Sequence, residues 1–261
     1  MRRTLLAAAL AAALSLAACG GDDGGSGSDA AASSPSGPSG KITVFAAASL
    51  TESFTELGKR FETAHPGTDV AFSFGPSSGL AQQITQGAPA DVFASASAKN
   101  MQQVVDAKDA AAPATFAQNS MEIAVPPANP AKVAALADLA KPGVKVALCA
   151  PEVPCGTVAR KVLANAKVAV TPVTNEADVK ATLTKVKLGE VDAGIVYVTD
   201  VRAAGAAVTG IEIPDDVNAS TAYPIATLTD SKNAALAKAF VDYVLSAEGG
   251  EVLSAAGFDR L

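Results

Sequence analysis

The chain has 261 residues, 49% of them hydrophobic and 18% charged, with 20 Lys and Arg against 26 Asp and Glu for a formal charge of −6. The acidic balance argues against nucleic acid or anionic lipid as a partner. A solitary histidine and three cysteines weigh against a zinc, manganese or iron centre.

Met1 to Ala18 opens on Arg2 and Arg3 and continues as an Ala/Leu-rich run too short to span a bilayer, so residues 1–18 read as an export signal. The run ends in Leu16-Ala17-Ala18-Cys19, which resembles the lipobox of bacterial lipoproteins and implies a lipidated Cys19 and an extracytoplasmic location at the membrane surface. Losing Arg2 and Arg3 leaves 18 basic against 26 acidic side chains, a charge of −8. Residues 19–40 are almost wholly Gly, Ser, Asp, Ala and Pro, a flexible tether with too little apolar surface to offset its ordering entropy.

From Lys41 onward strands and helices alternate. Lys41 to Phe45 is β-rich, and Leu50, Phe54, Leu57 and Phe61 then recur at helical spacing up to Pro66-Gly67. Strands around Val70 to Phe74 and Asp91 to Ser95 alternate with helices around Leu80 to Gln86 and Met101 to Val105. A second series has strands at Met121 to Val125, Val144 to Leu148 and Ala193 to Val198, with helices around Thr157 to Ala166 and through Val179, Leu183 and Val186. A last helix carries Leu236, Phe240, Tyr243 and Val244 and should pack back on the first series. Repeated βα units predict an α/β fold with largely parallel sheets. The expected arrangement is two lobes, residues 41–119 with 224–261 and residues 120–223, with a ligand between them and hinge closure available.

Loops after the strands are where such a sheet presents a ligand site. Four precede helices: Ala46-Ala47-Ala48-Ser49-Leu50, Gly75-Pro76-Ser77-Ser78-Gly79, Pro151-Glu152-Val153-Pro154-Cys155-Gly156-Thr157, and Asn175-Glu176-Ala177-Asp178-Val179. Each would aim free N–H groups and the positive end of a helix dipole at the cleft, which suits an anion. Spacing leaves a plainer reading open. Ser49 with Glu52 is a capping-box pattern, Ser77 or Ser78 could cap a helix, Asn175 and Asp178 are ordinary helix starters, and Tyr197 could be a core aromatic. In an exported protein Cys149 and Cys155 suit a disulfide, with two small buried thiols as the other reading. His65, in a helix-ending Ala-His-Pro-Gly turn, reads as a solvated residue and not as a ligand or base.

Four strings, Lys41-Ile-Thr-Val-Phe-Ala-Ala-Ala-Ser-Leu50, Gly87-Ala-Pro-Ala-Asp-Val-Phe-Ala-Ser95, Pro151-Glu-Val-Pro-Cys-Gly156 and Ala193-Gly-Ile-Val-Tyr197, closely resemble successive motifs of the molybdate-binding periplasmic protein family, in the same order. The resemblance implies the two-lobe periplasmic-binding-protein fold of type II. It also implies a monomer that captures molybdate or tungstate as cargo, with no resident cofactor or metal, and delivers it to the permease of an ABC importer. By the same resemblance Ser49 and Ser77 each offer a hydroxyl and an N–H, Cys155 and Val179 offer backbone N–H groups, and Tyr197 offers its phenol. Cys155 stands where the family more usually has Ala, which a backbone contact tolerates, and Ser77 and Ser78 compete for one role. Two other classes stand against this one. A serine hydrolase has no G-x-S-x-G elbow and no base besides His65; a binding protein for another oxyanion such as sulfate, for phosphate or for an organic ligand stays open as the alternative, while iron would want clustered Tyr, His and carboxylates where the sequence has three tyrosines and one histidine in all.

Overall fold

The computed structural model describes residues 37–259; the export signal, Cys19 and most of the tether lie outside the described residues. Strands β1 (Gly40–Ala47), β2 (Thr68–Gly75), β3 (Val92–Ala94), β4 (Ala114–Val125), β5 (Val146–Cys149), β6 (Thr174–Glu176), β7 (Ala193–Tyr197), β8 (Thr209–Glu212) and β9 (Ser220–Thr227) form one sheet in the order β2-β1-β3-β9-β4-β7-β5-β6, with β8 also on β4. Helices α1 (Thr51–Ala64), α2 (Ser77–Thr85), α3 (Ala98–Asp106), α4 (Pro154–Asn165), α5 (Val179–Lys187), α6 (Val198–Ala204), α7 (Ala234–Leu245) and α8 (Ala247–Ala256) flank it. None of the helices among the described residues is long and apolar enough to cross a membrane.

Parallel pairing, as the βα repeats predict, holds at both ends of the sheet: β1 with β2 and β3, and β5 with β6 and β7. The middle differs. There β9 and β4 run antiparallel to their neighbours. None of these central pairings joins strands that are consecutive in the chain, so no βα crossover imposes a parallel pairing there. Strand β4 serves both sides of the sheet, pairing through Ala114–Ser120 with β9 and through Met121–Ala124 with β7.

The buried residues segregate in the same way. One core holds Met121 to Ala219, centred on Ile123, Leu148, Val162, Val186 and Ile195. Another joins Ile42 to Ala117 with Tyr223 to Phe258. In α1 the buried positions Phe54, Leu57 and Phe61 fall on one stripe, and the rings of Phe54 and Phe61 meet Phe240 of α7 edge-on at 6.3 and 5.4 Å. The final helical segment thus packs back on the first strands, and it is broken at Ser246, whose hydroxyl caps α8 by accepting from Gly249 N–H. His65 is not simply solvated: its ring stacks on Phe61 at 4.2 Å, and it closes α1.

Candidate functional site

Six loops at the carboxyl ends of β1, β2, β3, β5, β6 and β7 converge on one small cavity, lined by Ala47, Ala48, Ser49, Gly75, Pro76, Ser77, Ala96, Val153, Pro154, Cys155, Asp178, Val179 and Tyr197. Its volume is about 20 Å³. A single water needs roughly 10–15 Å³, so the cavity suits a ligand of a few atoms. All five residues singled out by the sequence, Ser49, Ser77, Cys155, Val179 and Tyr197, line it, and all five are buried.

Each lining segment begins a helix. A 3-10 turn over Ala48–Leu50 leads into α1; Pro76 and Ser77 open α2; Val153, Pro154 and Cys155 open α4; Asp178 and Val179 open α5; Tyr197 precedes α6. The first N–H groups of a helix have no acceptor within it, and the dipole makes that end positive. The leading residues of α2 and α4, Pro76 and Val153, offer no capping side chain among the described residues. At α5 the Asp178 carboxylate accepts from Ala181 N–H, so Asp178 is a cap, and both Asp178 and Val179 line the cavity.

The hydroxyls are oriented by the fold and do not cap helices. Ser49 Oγ lies 2.8 Å from Tyr223 Oη, and α1 starts from Leu50 with no side-chain cap, so no Ser49–Glu52 capping box forms. Ser77 Oγ accepts from Ala96 N–H at 3.0 Å, which leaves its own hydrogen to donate elsewhere. Ser77 lines the cavity wall and Ser78 does not. Tyr197 Oη is buried with no hydrogen-bond partner among the described residues. Burial pushes both phenols, Tyr197 and Tyr223, well above the usual tyrosine range, so they remain O–H groups.

The loop after β5 is built closely. A Cys149–Cys155 disulfide spans it with Cα atoms 5.8 Å apart, and Arg160 reaches back from α4 to Cys149 O at 2.9 Å and Asn175 Oδ1 at 2.9 Å. A Cβ on Gly156 would stand 1.8 Å from Ala150 O, so only glycine lets α4 start this near the strand end.

Residues outside the motifs complete the setting. Asn119 Nδ2 lies 2.8 Å from Thr199 Oγ1 and 3.4 Å from Tyr223 Oη, behind Ser49. Lys180 bonds Glu52 of α1 at 2.7 Å and Asp200 of α6 at 2.9 Å, and Asp200 also accepts from Tyr197 N–H at 3.2 Å. Burial raises the Asp200 carboxyl to about 6 although Lys180 and the Tyr197 N–H pull it down. Lys180 itself is held above its ordinary value: burial works against its charge, and the carboxylates of Asp200 and Glu52 outweigh that. Local pattern gives no sign of these partners, because Asn119, Lys180 and Tyr223 meet their partners across long stretches of chain. Among the described residues no Arg, Lys or His lines the cavity, and no group of three or more His, Cys, Asp and Glu could hold a metal ion.

Residues 42–259 match the family model of bacterial extracellular solute-binding proteins. The molybdate-binding protein ModA of Mycobacterium tuberculosis is 42% identical over 232 residues, 87% of this chain and 89% of that one. Among solved structures, the substrate-binding domain of a putative molybdenum ABC transporter from Clostridium difficile is 27% identical with a TM-score of 0.65, covering 85% of this chain and 99% of that one. The sulfate-binding protein SubI of Mycobacterium tuberculosis, 18% identical with a TM-score of 0.75 over 85% of this chain and 87% of its own, shares the fold, so the fold by itself does not choose the anion. With a family match over most of its length and a relative at 42% identity, the chain belongs to the bacterial extracellular solute-binding proteins, among the relatives of the molybdate-binding protein ModA.

Proposed function

We propose that the chain binds one fully deprotonated tetrahedral oxyanion, molybdate or tungstate, through Ser49, Ser77, Cys155, Val179 and Tyr197, and passes it to the permease of an ABC importer. The observation that carries this reading is the convergence of several helix starts, those of α1, α2 and α4 without capping side chains, on a cavity of about 20 Å³ whose walls supply neutral donors. A dianion leaving water must recover its hydration, and oriented N–H and O–H groups with helix dipoles can do that without a buried cation. Ser49 and Ser77 would each give a hydroxyl hydrogen and an N–H, Cys155 and Val179 backbone N–H groups, and Tyr197 its phenol. Asp178 also lines the wall, and a carboxylate whose Oδ1 accepts from Ala181 N–H keeps further acceptor capacity, so discrimination against hydrogen phosphate rests on size. Rejection of sulfate rests on size, because donors fixed around a larger tetrahedron stand too far from a smaller one.

The two cores would act as two lobes closing on the anion, with β4 and β9 running between them. Membership of an extracellular family places the work outside the cytoplasm. Attachment there through a lipidated Cys19 belongs to the same proposal. The test is isothermal titration of the purified chain with molybdate, tungstate, sulfate and phosphate in parallel. Tight 1:1 binding of the first two alone is expected. Tight sulfate binding would transfer the site to that ion, and no binding of any of the four would remove the oxyanion reading.

A further inference from the structure

Lys180 is the residue after Val179, on the first turn of α5, yet its ammonium turns away from the cavity wall toward two carboxylates on different helices. Glu52 comes from α1, three residues beyond Ser49, in the core built from Ile42 to Ala117 and Tyr223 to Phe258. Asp200 comes from α6, on the side of the core built from Met121 to Ala219, and is fully buried. Its second oxygen holds the N–H of Tyr197. One ammonium therefore ties together the three segments that carry Ser49, Val179 and Tyr197, and its contact with Glu52 at 2.7 Å crosses from one core to the other.

We propose that Lys180, with Glu52 and Asp200, is a positioning latch: it fixes the beginnings of α1, α5 and α6 against one another and holds the two sides of the cavity closed. This deepens the oxyanion reading above and rests on it for the identity of the ligand. Asp200 supplies the anchored end, because a buried carboxylate that also holds a backbone N–H has little freedom to move. Glu52 supplies the releasable end. About half of its side chain is exposed, so water can take over its charge when the sides part, and breaking the contact leaves no buried ion stranded. A closing contact that is cheap to break suits a protein that must later give up its ligand. The latch should thus act on departure of the ligand and leave its arrival nearly untouched, the usual division for a contact made only after encounter.

The test uses the full chain in four forms: wild type, Glu52→Gln, Lys180→Met and Lys180→Arg. Hydrogen exchange is followed first without any added anion. With the latch, exchange at residues 49–55 and 179–184 rises in Glu52→Gln and Lys180→Met, returns toward wild type in Lys180→Arg, and stays unchanged in β9 and α7. Stopped-flow measurements with molybdate then give a dissociation rate raised about three- to tenfold in Glu52→Gln, with an association rate changed less than twofold. Unchanged exchange at both segments overturns the latch, as does a rise spread evenly through both cores, which would make Lys180 a support of the fold alone. If wild type binds no molybdate while exchange at the two segments still rises, the latch stands and the ligand assignment falls.

Discussion

Tyr197 carries a buried hydroxyl that satisfies no neighbour among the described residues, and that makes it a residue whose two contributions differ in sign. An unpaired buried polar group costs stability, whereas the same group aimed at an anion strengthens binding. Tyr197→Phe should leave the ligand-free melting temperature unchanged or raise it, and should weaken molybdate binding by about 1–3 kcal/mol. Differential scanning calorimetry and titration on one preparation check both halves; a variant that is destabilised and binds normally contradicts the assignment. Asp200 makes a second residue-level case. It faces Lys180, the Tyr197 N–H and, farther off, Glu52 and the buried phenols, and its carboxyl sits at about 6, above the unfolded value near 4. A carboxyl raised by folding contributes stability at low pH that is lost as pH rises through the folded value. Relative to Asp200→Asn, the wild type should therefore lose stability between pH 4 and pH 7, on the order of 3 kcal/mol, and level off above that. Chemical denaturation of both proteins across that range measures it, and a constant difference would show that Asp200 does not titrate there.

At the scale of elements, the start of α4 shows how little slack the site has. Gly156 approaches Ala150 O so closely that Gly156→Ala must push α4 away from β5, carrying Cys155 off the cavity wall. Loss of molybdate binding by more than tenfold is expected, with far-ultraviolet circular dichroism showing the helices intact; normal affinity would mean that the β5–α4 loop can shift without moving the donors. Much of this level was legible in the sequence. Where a β-rich run is followed by small residues and then a 3.6-residue stripe, as from Ile42 to Phe61, strand, loop and helix are all written locally. The site loops were legible for the same reason, as each joins a strand to a helix start. Strand β4 was seen only from Met121 onward, because Gln118, Asn119 and Ser120 interrupt the apolar pattern at the point where the strand passes between the cores. Helix α6 and strands β8 and β9 also escaped: α6 is only seven residues long, and β9 owes its place to pairing with β3 and β4, distant in sequence. The partners Tyr223, Asn119 and Lys180 had no local signature, since each gains its role from a contact 80 or more residues away.

For the whole molecule, a negative surface encloses a pocket meant for a negative ion. The formal charge of −6 makes the long-range field repel the proposed ligand, so affinity must come from short-range donors. The association rate for molybdate should stay flat or rise as salt is increased from 20 to about 500 mM, the opposite of electrostatic steering. A steep fall in stopped-flow rates would reveal a local positive funnel. The division of the two cores along the chain has a further consequence, for the time course of folding. The core from Met121 to Ala219 is drawn from one unbroken stretch, while the other cannot close until Leu236, Phe240 and Phe258 have joined strands that begin at Ile42. Closing that far longer loop is entropically slower. During refolding, amide protection should appear first in β5, β7 and α4 and only afterwards in β1 and α1, so the chain's first strand is among the last to find its place.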